Sequence, residues 1–209
     1  MIVVIDYGAG NLRSVEKALK SLGHPVIVTQ DKTAIKTASG IILPGVGSFD
    51  VAVNNLRKSN LESAVIESIA LGKPYLGICL GLQILFNESE EGKSKGFGIL
   101  PGKVKKFNFK GHPLAKKLKV PHMGWNSAVI KKESPIFEGM ESGSLLYFVH
   151  SYYVEPEDKD LIATTTEYGS EFTSSITKDN IYGTQFHVEK SGKIGLKILD
   201  NFAKLCKKV

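Results

Sequence analysis

A chain of 209 residues, 42% hydrophobic and 23% charged, carries enough apolar side chains for one sizeable core and is short for two full domains. A single domain over residues 1–209 is therefore expected. The balance excludes a disordered chain, and no apolar run reaches the length of a bilayer span, so no membrane contact is expected. The net charge of +6 is almost all lysine, Arg13 and Arg57 being the only arginines, and the stretch from Lys93 to Lys119 holds nine lysines and no acid. Nucleic-acid surfaces usually add arginine forks and stacked aromatics, so this stretch reads as a solvated face or a docking face for an acidic partner. No nucleic-acid partner is expected.

The start, Met1-Ile2-Val3-Val4-Ile5-Asp6, lacks the basic segment and cleavage site of a signal peptide, which makes the cytoplasm the expected location. There are two cysteines, Cys79 and Cys206. Cys206 shares a helical face with Leu196, Leu199 and Ala203 and reads as a core thiol. Two cysteines without clustered histidines make neither a disulfide framework nor a zinc site, so no metal is expected. No cofactor is expected either.

In chain order, Ile2 to Asp6 predicts a strand, and Asn11 to Leu22 a helix with Leu12, Val15, Leu19 and Leu22 on one face. Val26 to Thr29 and Gly40 to Leu43 predict strands; Phe49 to Arg57 and Leu61 to Leu71 predict helices. Tyr75 to Ile78 is an apolar strand running into a predicted helix from Leu80 to Phe86. Alternation of apolar strands with helices implies an α/β fold, a mostly parallel central sheet flanked by helices, with the functional crevice beyond the carboxyl ends of the strands. After Gly96 the character changes. Strands are predicted at Lys103–Phe107, Ser127–Lys131, Leu145–Val149, Leu161–Glu167, Phe172–Thr177 and Ile181–Phe186, with a last helix from Gly192 to Lys207. The C-terminal half thus reads as added antiparallel strands.

Cys79 sits at the join of the strand and helix, with Gly77 and Gly81 two residues to either side. A strand turning sharply into a helix leaves no room for side chains there, and the pattern is a nucleophile elbow with sulfur in place of oxygen. Unpaired N–H groups at a helix start favour the thiolate, which is the attacking form. A lone cysteine is more often a buried structural thiol; between two such glycines the two readings stand level. The stretch Gln185-Phe186-His187-Val188-Glu189 adds weight to the nucleophile. In extended chain His187 and Glu189 point to one side, so the carboxylate can orient the imidazole toward a thiol.

With these two stretches, Gly77-Ile78-Cys79-Leu80-Gly81-Leu82-Gln83 and Gln185 to Ser191, the chain resembles the class I glutamine amidotransferases. Asp6 to Val15, Pro121-His122-Met123-Gly124-Trp125-Asn126 and Tyr147 to Tyr152 resemble, more narrowly, the glutaminase subunits of imidazole glycerol phosphate synthases, and the likeness runs from Ile2 to about Leu199. Valine at 188 departs from the family's usual proline between histidine and glutamate.

The resemblance implies a flavodoxin-like α/β fold, L-glutamine as substrate and a cyclase subunit as heterodimer partner. It implies Cys79 as nucleophile, His187 as base and Glu189 as its orienter, with an oxyanion site from backbone N–H groups at Val46, Gly47 and Leu80. Gly47, Gln83, Glu91, Ser151 and Tyr152 match glutamine-holding positions. Asn11, Arg13, Trp125, Asn126, Lys190 and Ser191 match positions at or near the cyclase face and are expected on loops around the crevice.

Two weaker signals are set aside. Gly8-Ala9-Gly10 after the first strand is similar to a dinucleotide fingerprint but lacks its third glycine, since Arg13 stands there. His122 and His150 read as structural or interfacial. Two other readings are weighed against the leading one. A glutaminase serving a different synthase, or a cysteine hydrolase with the same elbow, is opposed by the stretch from Pro121 to Asn126, and an idle α/β binding module by the complete Cys–His–Glu set.

Overall fold

The computed structural model describes residues 1–207. In chain order the elements are β1 (Ile2–Ile5), α1 (Leu12–Ser21), β2 (Val26–Thr29), α2 (Lys32–Thr37), β3 (Gly40–Gly45), α3 (Phe49–Lys58), α4 (Leu61–Ala70), β4 (Tyr75–Cys79) and α5 (Leu80–Gln83). Next come β5 (Phe86–Ser89), β6 (Leu100–Lys106), β7 (His122–Ile130), β8 (Ser144–His150), β9 (Tyr152–Pro156), β10 (Ile162–Glu167), β11 (Glu171–Lys178), β12 (Ile181–Thr184) and α6 (Gly192–Leu205).

The main sheet runs β2-β1-β3-β4-β12-β11-β10-β7-β8. Its first five strands are all parallel and take the 2-1-3-4-5 order of flavodoxin-like sheets, with β12 as the fifth. From β12 onward every pairing is antiparallel. Successive strand residues point to opposite faces, so each strand feeds two cores. Val3, Ile5, Ile41 and Leu43 pack with Ile35, Phe49, Val53, Leu56, Leu61 and Val65 from α2, α3 and α4. Ile2, Val4, Ile42, Leu76 and Ile78 pack with Val15 and Leu19 of α1 and Ile198, Leu199 and Phe202 of α6. Cys206 lies buried in this second core, its thiol on the Phe202 carbonyl at 3.3 Å.

Several predicted elements shift. The helix expected from Leu80 to Phe86 is one turn, ending at Gln83, and Phe86 opens β5. The returning chain takes the next carbonyls: Phe97 N–H donates to Ile84, and Ile99 and Leu100 N–H both donate to Leu85. An apolar run is ambiguous by itself, and here tertiary pairing decides it. Strand β7 begins five residues before the predicted start, and α2, β9 and all of β5 but Phe86 lie where no element was predicted. Asp31 caps α2 by accepting from Thr33 N–H at 2.9 Å. Within the lysine-rich stretch, Lys95 pairs with Glu88 and Lys105 with Glu155, so part of that charge is neutralised by acids elsewhere in the chain. Among the described residues no helix is long and apolar enough to cross a membrane.

The link from β12 to α6 also differs from expectation. The strand ends at Thr184, and Val188–Lys190 forms a single 3-10 turn rather than extended chain. Lys190 N–H donates to His187 O at 3.0 Å, and the tight turn itself brings the 187 and 189 side chains together. His187 has φ −85° and ψ 99°, close to the conformation required before proline, and 188 is the first residue of the turn, where proline is well tolerated. Val188→Pro is therefore expected to fold with a melting temperature within a few degrees of the parent and glutamine turnover within a few fold. Thermal unfolding and a glutamate-release assay check it; loss of folding would show that the turn depends on the freedom of residue 188.

Candidate active site

Parallel register builds the site. Gly45 of β3 lies opposite Cys79 of β4, and Thr184 of β12 lies opposite Ile78. The residues just beyond β3 (Val46, Gly47) and those just beyond β12 (Gln185 to Glu189) therefore flank the same cysteine at the carboxyl edge of the sheet. Cys79 has φ +54° and ψ −104°, one of few non-glycine residues at positive φ. Such backbone costs about 1–3 kcal/mol and persists only where its surroundings enforce it. The enforcement is visible: a Cβ on Gly77 would overlap the Gly81 carbonyl, and one on Gly81 would overlap the Leu43 carbonyl. Tyr75 O–H, buried, ties the turn by donating to Gly81 O at 2.8 Å.

A cleft of ≈350 Å³ opens at this edge, lined among others by Val46, Gly47, Cys79, Leu80, Gln83, Glu91, Ser151, Tyr152 and His187. It is of a size for a small ligand. His187 Nδ1 and Glu189 Oε1 are 2.8 Å apart, both side chains being almost wholly buried. Asn11 adds a longer hydrogen bond, 3.3 Å, to the same carboxylate oxygen. Burial alone would lower the His187 pKa; the neighbouring sulfur of Cys79 and the carboxylate of Glu189 outweigh it and push it up to about 9. Nε2 has no hydrogen-bond partner of ordinary geometry among the described residues, which leaves it as the nitrogen turned to the sulfur.

Gln83, also in the lining, is buried and uses its amide nitrogen twice, donating to Tyr152 O at 3.0 Å and to Gln185 Oε1 at 3.1 Å. Its own carbonyl oxygen is thus what it can offer the cleft, an acceptor. Glu91 accepts from Phe49 N–H at 2.7 Å at the start of α3, and burial raises its pKa. It supplies a half-buried carboxylate suited to an ammonium group. Leu80 opens α5, so its N–H has no partner within the helix. Gly47, at φ +95°, lies in the loop beside it; a Cβ on Gly45 would stand 2.7 Å from that of Leu80. Among the described residues no group of three or more His, Cys, Asp and Glu could hold a metal ion.

The six positions matched to a partner face are not all on loops. Arg13 is in α1, Trp125 and Asn126 are in β7, and Lys190 is in the 3-10 turn. Trp125 is exposed and stacks edge-on against Tyr147, with Lys190 over the same ring. Ser191 is buried: its hydroxyl donates to His187 O at 2.7 Å and accepts from Tyr147 N–H at 3.0 Å, so it braces the histidine from within. The half-buried Asn126 amide is fixed in place, its nitrogen on Glu167 O and His122.

His122 and His150 bond to each other at 3.0 Å inside a box of Phe107, Phe148 and Phe172. Burial lowers their pKa values to about 4 and about 3, so both are neutral. Sequence reasoning assigned no role to Gln185, whose amide nitrogen is 3.5 Å from Cys79 Sγ. Its place in the Gln-Phe-His-Val-Glu stretch was the only signal.

A family model, glutamine amidotransferase class-I, matches residues 3–206. The chain is 52% identical to an imidazole glycerol phosphate synthase subunit HisH from Methanocaldococcus jannaschii, covering 98% of this chain and all of that one. It is 51% identical to the protein of that name from Aquifex aeolicus, covering 99% and 98%. Among solved structures, a glutamine amidotransferase superposes with TM-score 0.75 at 16% identity over 99% and 100% of the two chains. PurLQS from Thermotoga maritima does so with TM-score 0.70 at 20% identity over 99% and 97%. At those identities the structures speak for the fold alone, and that fold is the sheet described above. With a family model spanning almost its whole length and relatives of about half identity from end to end, the chain belongs to the class I glutamine amidotransferases, among the HisH subunits of imidazole glycerol phosphate synthase.

Proposed function

We propose that the chain hydrolyses L-glutamine to glutamate and ammonia with Cys79, His187 and Glu189, and passes the ammonia to a cyclase subunit that makes imidazole glycerol phosphate. The observation that carries the chemistry is the convergence of the strained Cys79 and the His187–Glu189 pair on one small cleft. Cys79 Sγ attacks the side-chain amide carbon. The oxygen's developing charge meets the N–H of Leu80 and one from Val46 or Gly47. His187, held protonated at neutral pH, gives its Nε2 proton to the departing ammonia, then takes a proton from the water that cleaves the thioester. Glu189 orients the ring through Nδ1. Glu91 takes the α-ammonium group of glutamine, while Gln83, Gly47, Ser151 and Tyr152 fix the rest of the substrate. Asn11, Arg13, Trp125, Asn126 and Lys190 form part of the partner face, with Ser191 supporting it from inside.

Three outcomes are expected. In complex with the cyclase, Cys79→Ala loses glutamine-driven product formation by about a thousandfold or more yet keeps the reaction supplied with ammonium salt at alkaline pH. Product formation with each nitrogen source measures this, and retained glutamine-driven turnover would remove the triad. The second concerns pH. His187 is protonated below about 9 and neutral above it, so kcat/KM for glutamine falls as pH rises through about 9. Glu189→Gln removes one of the two groups holding the proton and moves that basic limb to lower pH; a limb that stays in place would mean another group sets it. Third, Trp125→Ala weakens partner affinity by about tenfold or more, as exposed aromatic anchors do, and titration calorimetry against the cyclase reads it.

A further inference from the structure

Gln185 comes directly after β12 and is fully buried beside the sulfur. Amide oxygen and nitrogen are told apart only by their partners, and here the partners settle both ends. Tyr152 O is a backbone carbonyl and can only accept. Gln83 must therefore turn its nitrogen toward it, at 3.0 Å. That same nitrogen lies 3.1 Å from the Gln185 amide, which must present its oxygen there, since two N–H groups would repel. The Gln185 nitrogen is left facing Cys79 Sγ at 3.5 Å, and the sulfur is the one partner it has among the described residues. A thiol is a weak acceptor and would leave a buried amide N–H poorly compensated. A thiolate accepts a charge-assisted bond and compensates it well.

We propose that Gln185 is a catalytic residue, a second hydrogen-bond donor to the Cys79 sulfur that holds the thiolate opposite His187 and receives it again when the acyl group leaves. The inference rests on the reading of Cys79 as nucleophile. Before attack the donor keeps the sulfur charged. Once the carbon–sulfur bond forms, the sulfur becomes thioether-like and the hydrogen bond weakens. In the second half-reaction water adds to the acyl carbon, its proton passing to His187. The carbon–sulfur bond then breaks with its electron pair returning to sulfur, and glutamate departs. The Gln185 N–H meets the charge as it reappears, so it favours sulfur as the leaving group. The chain of bonds that aims this N–H begins at Tyr152 O in β9, which also accepts from His150 Nδ1–H at 2.9 Å.

The test is the pH dependence of Cys79 alkylation by iodoacetamide in the full chain, with mass spectrometry separating Cys79 from Cys206. Gln185→Met keeps the length and removes the donor; Gln185→Glu keeps the bond from Gln83 and turns an acceptor toward the sulfur. The alkylation midpoint is expected to rise by about one pH unit in Gln185→Met, as loss of a hydrogen bond to a charged group does, and further in Gln185→Glu. The rate on the alkaline plateau is expected to rise about threefold, since a more basic thiolate is the better nucleophile. A merely structural role would slow alkylation at every pH without moving the midpoint. Unmoved midpoints in folded variants would overturn the proposal. If the variants do not fold, the unaltered protein decides: the Gln185 side-chain amide resonances titrate with the alkylation midpoint, and resonances that ignore it overturn the proposal too. The reading of Cys79 fails separately, in the unaltered protein, if Cys79 reacts no faster than an ordinary thiol and the complex makes no glutamate.

Discussion

The structure depends on one close approach. Helix α5 starts so near to β3 and back over β4 that Gly81 touches the Leu43 carbonyl and Gly77 touches the Gly81 carbonyl. Nothing larger than hydrogen fits at either place. The chain can turn from strand to helix within a single residue only under that condition, and the turn forces Cys79 to positive φ. Relaxing either glycine would push α5 away from the sheet and carry the sulfur, the Leu80 N–H and Gln83 with it. The strain at Cys79, about 1–3 kcal/mol, is thus held by packing that belongs to the core rather than to the cleft.

Around that turn the protonation of each buried histidine is set by its neighbours and not by depth alone. His187 is buried deeply enough that, alone, it would be neutral, as His122 and His150 are. A carboxylate on one nitrogen and a sulfur beyond the other reverse the balance. His150 also lies in the cleft wall, but its neighbours there are aromatic rings, another neutral imidazole and the Tyr152 carbonyl. Three buried histidines within one region therefore divide into one proton carrier and two fixed hydrogen-bonding struts.

Much of this was legible in the sequence, for identifiable reasons. Continuous apolar runs such as Ile2–Ile5 and Tyr75–Cys79 announced parallel strands covered on both sides, and glycines at 77 and 81 announced the sharp turn. The parts that stayed hidden needed register. Gln185 meets Cys79 across 106 positions because β12 lies beside β4, and no local pattern states that pairing. His122 and His150 meet because β7 and β8 place them opposite each other. Ser191 reads like a surface residue from its polarity, yet two backbone groups hold it inside. The His187–Glu189 pair was anticipated for a different geometric reason: an alternating strand was expected where a 3-10 turn does the work. The helix beyond Gln83 failed because the chain from Phe97 to Leu100 competes for its carbonyls.

The position of β12 has a further consequence for how the molecule comes into being. It is the last strand in the chain yet lies in the interior of the sheet, between β4 and β11. During synthesis β4 therefore presents an open edge of unpaired N–H and C=O groups, flanked by apolar side chains, while about a hundred further residues are added and β12 is made to pair with it. The sulfur emerges long before its histidine, its glutamate and the amide beside it. Cys79 therefore gains Gln185 as a neighbour, and the cleft gains His187 in its wall, only once β12 has paired with β4.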